Sequence, residues 1–511
     1  MSDPVKSPID FTFNVGTQDN NGGGDDKKQG DAPLCISILG DFSGRKSNPA
    51  PVSIEQRYFR EIDSYDYDDV LATFDIKLHL AMNGQDNVIV VSIKKFKDFH
   101  PDQLYKNVTL FSKLSDLRTR LQNNSTFNDA AQEIQGWLIA EDKQEQRTTS
   151  QIKKDQVEGK AELSSDDLLA SILEETENKT QQPKKQSLVD GFIKQLMANR
   201  VKVSTDPRKD EMLAAVDESI SESMRAILHH PDFQALESTW QALRFLVRRV
   251  KSGKNIKIHL LDITKDELSQ DLSDDDIERS GLYKLFCDST HGDIDWSYIV
   301  GDYRFEANID DMLLLSQLGY VAMRSGATFI SSADEKLIGC ESFSKTPDMN
   351  HWDYQLADNI SQAWSLLRQS DVTKHISLAL PSFLVRLPYS SLNNPIKSFS
   401  FEETLLPESH SQYLYANAAF LIVEQLASAF VKKGWDMRPG DAVTTEDLPL
   451  LTYDDKGKIV VKPCSEVALT EAAAVRIKQQ GIVPLCSIKN RDRIYTGGFL
   501  TLYNDYNKSG N

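Results

Sequence analysis

No apolar run among the 511 residues approaches the ~20 residues that a membrane-spanning helix needs. The opening, MSDPVKSPIDF, has no basic segment followed by an apolar one and a cleavage site. Membrane insertion is therefore not expected, and the chain is predicted to stay in the cytoplasm. Cysteine is scarce: the five residues Cys35, Cys287, Cys340, Cys464 and Cys486 are odd in number, widely spread and form no C-x-x-C. That excludes a disulfide framework and a zinc knuckle, and the apolar surroundings of four of them predict small core residues. Positive charge is in the minority, with 58 Lys+Arg against 76 Asp+Glu and a formal net charge of −18. Binding dominated by phosphate neutralisation is disfavoured, so nucleic acid is not an expected partner.

Catalytic signatures are missing as well. Gly40-Asp41-Phe42-Ser43-Gly44-Arg45-Lys46 follows a strand-like run but lacks the spacing of a phosphate loop, and an exposed turn is the better reading. Arg438-Pro439-Gly440-Asp441 is turn chemistry. His229-His230 lacks a third ligand at metal spacing, and adjacent helical residues point about 100° apart; the pair reads as a helix-terminus feature. There is no G-x-S-x-G or H-E-x-x-H. No catalytic, metal-binding or cofactor-binding residue is assigned, and the weight moves towards assembly or binding.

What the chain does contain is punctuated like a fusion. Residues 17–32, TQDNNGGGDDKKQGDA, have no apolar residue before Ala32 and predict a flexible linker. Upstream lies an island in which Ile9, Phe11, Phe13 and Val15 alternate with polar residues as in a half-buried strand. A strand ahead of a linker is an edge strand of its own sheet or an arm that pairs with a neighbour, and Phe11, Phe13 and Val15 are the candidate arm residues. Thus 1–32 form an arm and linker.

Residues 33–141 read as a small α/β or α+β domain. Leu34–Leu39, Phe74–Leu80 and Val88–Ile93 have strand patterns, and one helix is expected from His100-Pro101-Asp102 with its stripe at Leu104, Val108, Phe111, Leu114, Leu117 and Leu121. Residues 142–186 are a second polar linker carrying one amphipathic helix, capped by Ser164-Ser165-Asp166-Asp167, with Leu168, Leu169, Ile172 and Leu173 on one face. Residues 187–503 alternate strands and helices, as expected of an α/β sheet with covering helices, and 504–511 are a tail. Strands are predicted at Ile256–Leu261, Trp296–Gly301, Thr328–Ile330 and Leu378–Leu380. Helices are predicted after His230-Pro231-Asp232, at Met312–Ala322 and at Tyr413–Phe430.

Several motifs resemble those of one family, the contractile sheath of type VI secretion, with its small and large subunits joined in one chain. In 33–141 they are Ile38-Leu39-Gly40-Asp41-Phe42-Ser43-Gly44, Phe59-Arg60-Glu61-Ile62-Asp63, Tyr67-Asp68-Asp69-Val70, Phe96-Lys97-Asp98-Phe99-His100-Pro101-Asp102 and Leu114-Ser115-Asp116-Leu117-Arg118. In the later part they are Leu168-Leu169-Ala170-Ser171-Ile172-Leu173-Glu174-Glu175-Thr176, His230-Pro231-Asp232-Phe233-Gln234-Ala235-Leu236-Glu237, Ile299-Val300-Gly301-Asp302-Tyr303, Leu337-Ile338-Gly339-Cys340-Glu341-Ser342-Phe343, Leu384-Val385-Arg386-Leu387-Pro388-Tyr389 and Asn417-Ala418-Ala419.

The resemblance implies a mixed α/β fold with two sheath-type domains, and a structural rather than enzymatic role: assembly around an inner tube and contraction by repacking of protomer interfaces. It implies as partners other sheath subunits or copies of the chain itself, an inner-tube ring protein, baseplate components and an AAA+ recycling unfoldase that would read the Leu168, Leu169, Ile172 and Leu173 helix. The large-subunit part is expected to be shortened at its carboxyl end, which keeps open an adaptor, cap or regulator that does not polymerise. A cytoplasmic α/β enzyme built around Arg304 and Arg386 ranks below both, because those arginines read more simply as salt-bridge partners.

Overall fold

The computed structural model of the protein describes residues 32–45, 53–82, 87–134, 209–250, 252–274, 276–288, 294–405, 410–438, 440–441 and 443–503. They fall into two compact units. One takes the described residues of Met1–Val70, Ser238–Leu387 and Tyr413–Asn511; the other takes those of Leu71–Glu237 and Pro388–Gln412. Each unit thus draws on both the early and the late part of the chain. The strands that organise them are β1 (Leu34–Gly40), β2 (Arg60–Ile62), β3 (Ile76–Met82), β4 (Asn87–Ile93), β5 (Ile256–Asp262), β6 (Trp296–Phe305), β7 (Thr328–Ala333) and β8 (Ile376–Leu380).

The first unit is built on a seven-stranded sheet in the order Ile482–Pro484, β8, β7, β6, β1, β5, β2. All neighbours run parallel except β2, which pairs antiparallel with β5 at the edge. β1 sits inside this sheet, with Leu34 opposite Ile256 and Gly40 opposite Asp262 on one side, and Leu39 opposite Gly301 on the other. Parallel strands covered on both faces need near-continuous apolar runs. That is why LCISILG carries no alternation, and all seven of its residues are buried. Helix Ile309–Ser325 shares one core with Leu39, Leu261, Phe329 and Leu378. Helix Ala418–Lys433, apolar on nearly every side, packs on β6, β7 and β8.

In the second unit β3 and β4 form an antiparallel hairpin, from Ile76 opposite Ile93 to Met82 opposite Asn87. Burial alternates strictly along β3, as a one-sided sheet demands. Helix Thr109–Gln122 packs against helix Lys209–Leu228, where Arg118 Nε meets Asp217 Oδ1 at 2.5 Å.

Two expected helices change shape. The run from His100 breaks into Pro101–Asn107 and Thr109–Gln122, because Val108 between them is extended (φ −84°, ψ 126°). Its side chain stays buried with Leu104 and Phe111, so the apolar stripe survives the break. The helix expected from Tyr413 starts only at Ala418: Tyr415–Ala416 pair antiparallel with Phe383–Leu384, and the Asn417 side chain caps the helix by accepting from the Ala419 N–H. The expected strand at Ile9–Val15 and helix at Leu168–Glu175 lie outside the described residues; the remaining expected strands and helices are present, with ends moved by a few residues.

Candidate functional site

The turn after β1 is built to grip the strand beside it. Asp41 Oδ1 accepts the Arg45 N–H at 2.8 Å, which closes the turn on itself. The Phe42 N–H donates to Asp262 Oδ1 at 2.9 Å, while its fully buried ring meets Trp240 edge-on at 5.6 Å. Trp240 Nε1 donates to the Phe42 carbonyl at 3.0 Å, and the Tyr67 hydroxyl donates to the Trp240 carbonyl at 2.5 Å. The expected exposed turn is therefore largely buried, since its aromatic residue fills the core and its backbone bonds to β5 and to helix Pro231–Val250.

A charged cluster lies alongside. The Arg45 guanidinium reaches Asp262 at 3.4 Å and Glu267 at 3.0 Å, and Arg57 meets Glu267 at 2.6 Å and the Asp262 carbonyl at 3.0 Å. Thr264 and Glu267 form a capping box at the start of helix Lys265–Asp271, which fixes the Glu267 backbone. Burial pushes the Glu267 carboxyl up, but hydrogen bonds from Arg57 and Thr264 and the Arg45 charge outweigh it, leaving it below the ordinary range. Burial wins at Asp262 and raises it, although Arg45 pulls the other way. Arginines from the early part of the chain are thus matched to carboxylates from the late part, within one unit.

A second network surrounds an irregularity in β6. Pairing with β7 shifts register between Val300 and Arg304, which takes carbonyls out of the ladder. Ser331 Oγ lies 2.8 Å from both the Gly301 and Tyr303 carbonyls, and Asn417 Nδ2 donates to Tyr303 O at 2.7 Å. Asn417 Oδ1 accepts from Ser332 Oγ at 2.6 Å. Gly301 is closely packed: a Cβ there would stand 2.7 Å from Phe329 Cζ and 2.8 Å from Tyr303 Cδ2, so any side chain would force those rings to move. Asp302, on the same bend, accepts from Thr239 Oγ1 at 2.6 Å. Burial raises its pKa to about 6, with Asp41 adding repulsion and the Thr239 and Asn417 hydrogen bonds pulling it down.

Asp302 also forms part of the wall of a cleft of about 190 Å³, with Arg304, Glu335, Pro381, Asn417 and Glu466 among the other lining residues. The cleft lies at the carboxyl ends of β6, β7 and β8, where open α/β sheets usually bind ligands. Its volume is below the roughly 300 Å³ at which small-molecule sites begin. Arg304 is occupied by Asp334, at 3.2 Å, and by Glu335. Arg386 is buried, donates to the Leu387 carbonyl at 3.3 Å and does not line the cleft. The pair invoked for an enzyme is therefore not assembled there. His230 Nδ1 accepts the Asp232 N–H at 3.2 Å at the start of helix Pro231–Val250, the helix-terminus role read from the sequence. Among the described residues, no group of three or more His, Cys, Asp or Glu is placed to hold a metal ion.

Phe11, Phe13 and Val15, and Leu168, Leu169, Ile172 and Leu173, lie outside the described residues. The structure instead draws together three of the quoted motifs. Gly40–Gly44, Ile299–Tyr303 and Asn417–Ala419 meet at the carboxyl end of the sheet, where Asp302 Cβ lies 3.2 Å from the Cβ position of Gly40. Roles for Arg45, Arg57, Asp262, Glu267 and Asn417 were not assigned from sequence; motif membership was the signal for Asn417, and nothing marked Asp262 or Glu267.

Comparison with known proteins now bears on this arrangement. A family model described as EvpB/VC_A0108, tail sheath N-terminal domain, matches residues 210–501, more than half of the chain. The protein belongs to this type VI secretion sheath family. A second model, described as type VI secretion system, VipA, VC_A0107 or Hcp2, matches residues 11–153. One chain of this sheath family therefore carries both the small-subunit and the large-subunit regions. A curated relative, the type VI secretion system sheath protein TssC1 of Pseudomonas aeruginosa, is 28% identical over 302 residues, 57% of this chain and 61% of the relative. The chain thus spans about three fifths of that sheath protein's length. No helix among the described residues is long and apolar enough to cross a membrane.

Proposed function

We propose that this sheath-family chain is a structural subunit of a bacterial contractile injection apparatus, acting in the cytoplasm by assembling around an inner tube and contracting. The observation that carries the reading is the sharing of one sheet by the two sheath regions, with β1 of the first hydrogen-bonded between β5 and β6 of the second. Such a seam makes the fused chain the counterpart of a subunit pair and sets its stoichiometry at one to one. Work is then done by repacking interfaces between protomers, with no bond chemistry in the sheath itself.

Its partners in this reading are copies of itself or other sheath subunits, the ring protein of the inner tube and components of the baseplate. Phe11, Phe13 and Val15 act as a strand arm on a neighbouring protomer, and the Leu168, Leu169, Ile172 and Leu173 face is the element offered to an AAA+ recycling unfoldase. Sedimentation of the purified chain, alone and with its host's tube protein, tests the proposal. Pelletable assemblies that disappear when residues 1–16 are removed support both the assembly and the arm. A chain that stays in the supernatant and binds only preformed sheath acts as an adaptor or cap instead.

A further inference from the structure

His259 lies in the middle of β5, in register with Ser37 of β1 on one side and Glu61 of β2 on the other. Both neighbours come from the small-subunit region, while β5 belongs to the large-subunit region. The imidazole is only 7% exposed and is boxed in by rings: Trp296 meets it edge-on at 5.3 Å, and Phe59, the residue before β2, at 6.4 Å. Phe59 in turn packs on Trp296 at 4.7 Å and on Phe286 at 5.2 Å. His259 Nε2 is buried without a hydrogen-bond partner, and so is the Ser37 hydroxyl opposite, so the two do not bond to each other. A neutral imidazole fits this box as an aromatic ring would, whereas an imidazolium brings a charge and a second N–H that need partners. The groups around it do not supply them. Glu61 Oε2 already lies 3.6 Å from Lys257 Nζ, and Lys257, two residues back along β5, repels a second cation. Cys35, in register with Lys257, is held as a neutral thiol by burial.

We propose that His259 is an acid-sensitive pin at the edge of the large sheet: neutral, it holds Phe59 and β2 on β5, and protonated, it lets them go. β2 is the piece that yields, because it is three residues long, stands at the edge of the sheet and pairs with β5 alone. The pin goes beyond the sheath reading and does not depend on whether the chain polymerises. Burial lowers the His259 pKa; Glu61 opposes this and Lys257 adds to it. A histidine depressed in the folded state carries no penalty well above its ordinary value of 6.5, and the penalty builds as pH falls through that value towards the folded one. Acid is therefore the releasing condition.

The test is hydrogen–deuterium exchange of the full chain at pH 7.5 and 5.5, corrected for the intrinsic pH dependence of exchange and read on peptides covering Phe59–Ile62. The wild type is expected to protect this segment at pH 7.5 and to lose that protection at pH 5.5, while β7, inside the same sheet, stays unchanged as an internal control. His259→Leu fills the box without a titrating group and should keep the protection at both pH values. Two variants at half-exposed side chains keep the idea decidable if that one does not fold. Lys257→Gln removes the like charge and should shrink the acid loss; Glu61→Gln removes the carboxylate that favours the imidazolium and should enlarge it. Both break the same ion pair, so a purely structural effect would move them alike. Wild-type protection independent of pH, an acid loss in His259→Leu equal to that of the wild type, or Lys257→Gln and Glu61→Gln moving the loss in the same direction overturns the pin.

Discussion

Replacing Phe42 by alanine isolates the contribution of the turn that follows β1. The ring is fully buried, lies edge-on to Trp240 at 5.6 Å and belongs to a residue whose backbone bonds to both Asp262 and Trp240. The substitution leaves those backbone bonds chemically available and removes only the ring, so the loss is the transfer of an aromatic side chain plus the cavity it leaves. Phenylalanine-to-alanine changes at such sites cost about 3–5 kcal/mol, of which roughly 0.5–1.5 belongs to the aromatic pair. Against a typical total of about 5–15 kcal/mol, that is a large fraction of the stability. Urea unfolding followed by tryptophan fluorescence measures it, since Trp240 is itself fully buried. Val90→Ala, on the exposed face of β4, is the comparison and should cost less than about 0.5 kcal/mol. A loss below about 1 kcal/mol for Phe42→Ala would mean that the turn does not anchor β1, and the argument from the buried ring would fail.

Other consequences are equally direct. Glu267→Ala takes the paired carboxylate from Arg57 and one of two from Arg45, at arginine side chains only 9% and 10% exposed, and should cost about 3 kcal/mol; Arg118→Ala breaks a half-exposed pair and should cost less than about 1 kcal/mol, and equal losses would contradict the burial argument. Because the Glu267 carboxyl is held below its ordinary 4.5, its stabilisation is present above that pH and lost as pH falls through the folded value, so the difference between wild type and Glu267→Ala should narrow in acid. Gly301→Ala drives a methyl group to 2.7 Å from the Phe329 ring and should destabilise by about 1–3 kcal/mol in the same unfolding assay; a neutral effect would show that β6 yields easily at its register shift. Cutting a protease site inserted between residues 142 and 186 should leave two fragments that co-elute in size exclusion, because β1 is bonded on both sides by strands from beyond the cut. Fragments that separate would contradict the shared sheet.

Local pattern made the strands of the large sheet legible. LCISILG, IKIHLL and TFI have the apolar, β-branched runs of doubly covered parallel strands, and each lies in a strand of the sheet. What pattern does not carry is adjacency across more than 200 residues, so the position of β1 between β5 and β6 was not visible. The break at Val108 was hidden for a related reason: the apolar spacing continues through it, and only the backbone turns away. Asn417 lay inside an apolar stretch that read as helix, where a cap and a two-residue strand have no periodicity of their own. The candidate site was legible as motifs and not as roles, because Ser331 and Asn417 answer carbonyls exposed by a register shift that no side-chain pattern announces.

One chain that joins both sheath regions through a common sheet is proposed to be a self-sufficient assembling unit. Electron microscopy of the purified full chain, alone and with the host's tube protein, tests it most directly. Helical cylinders or stacked rings built from this chain are the predicted result. Single particles that never polymerise, and that decorate only the ends of a sheath made by other subunits, would contradict it.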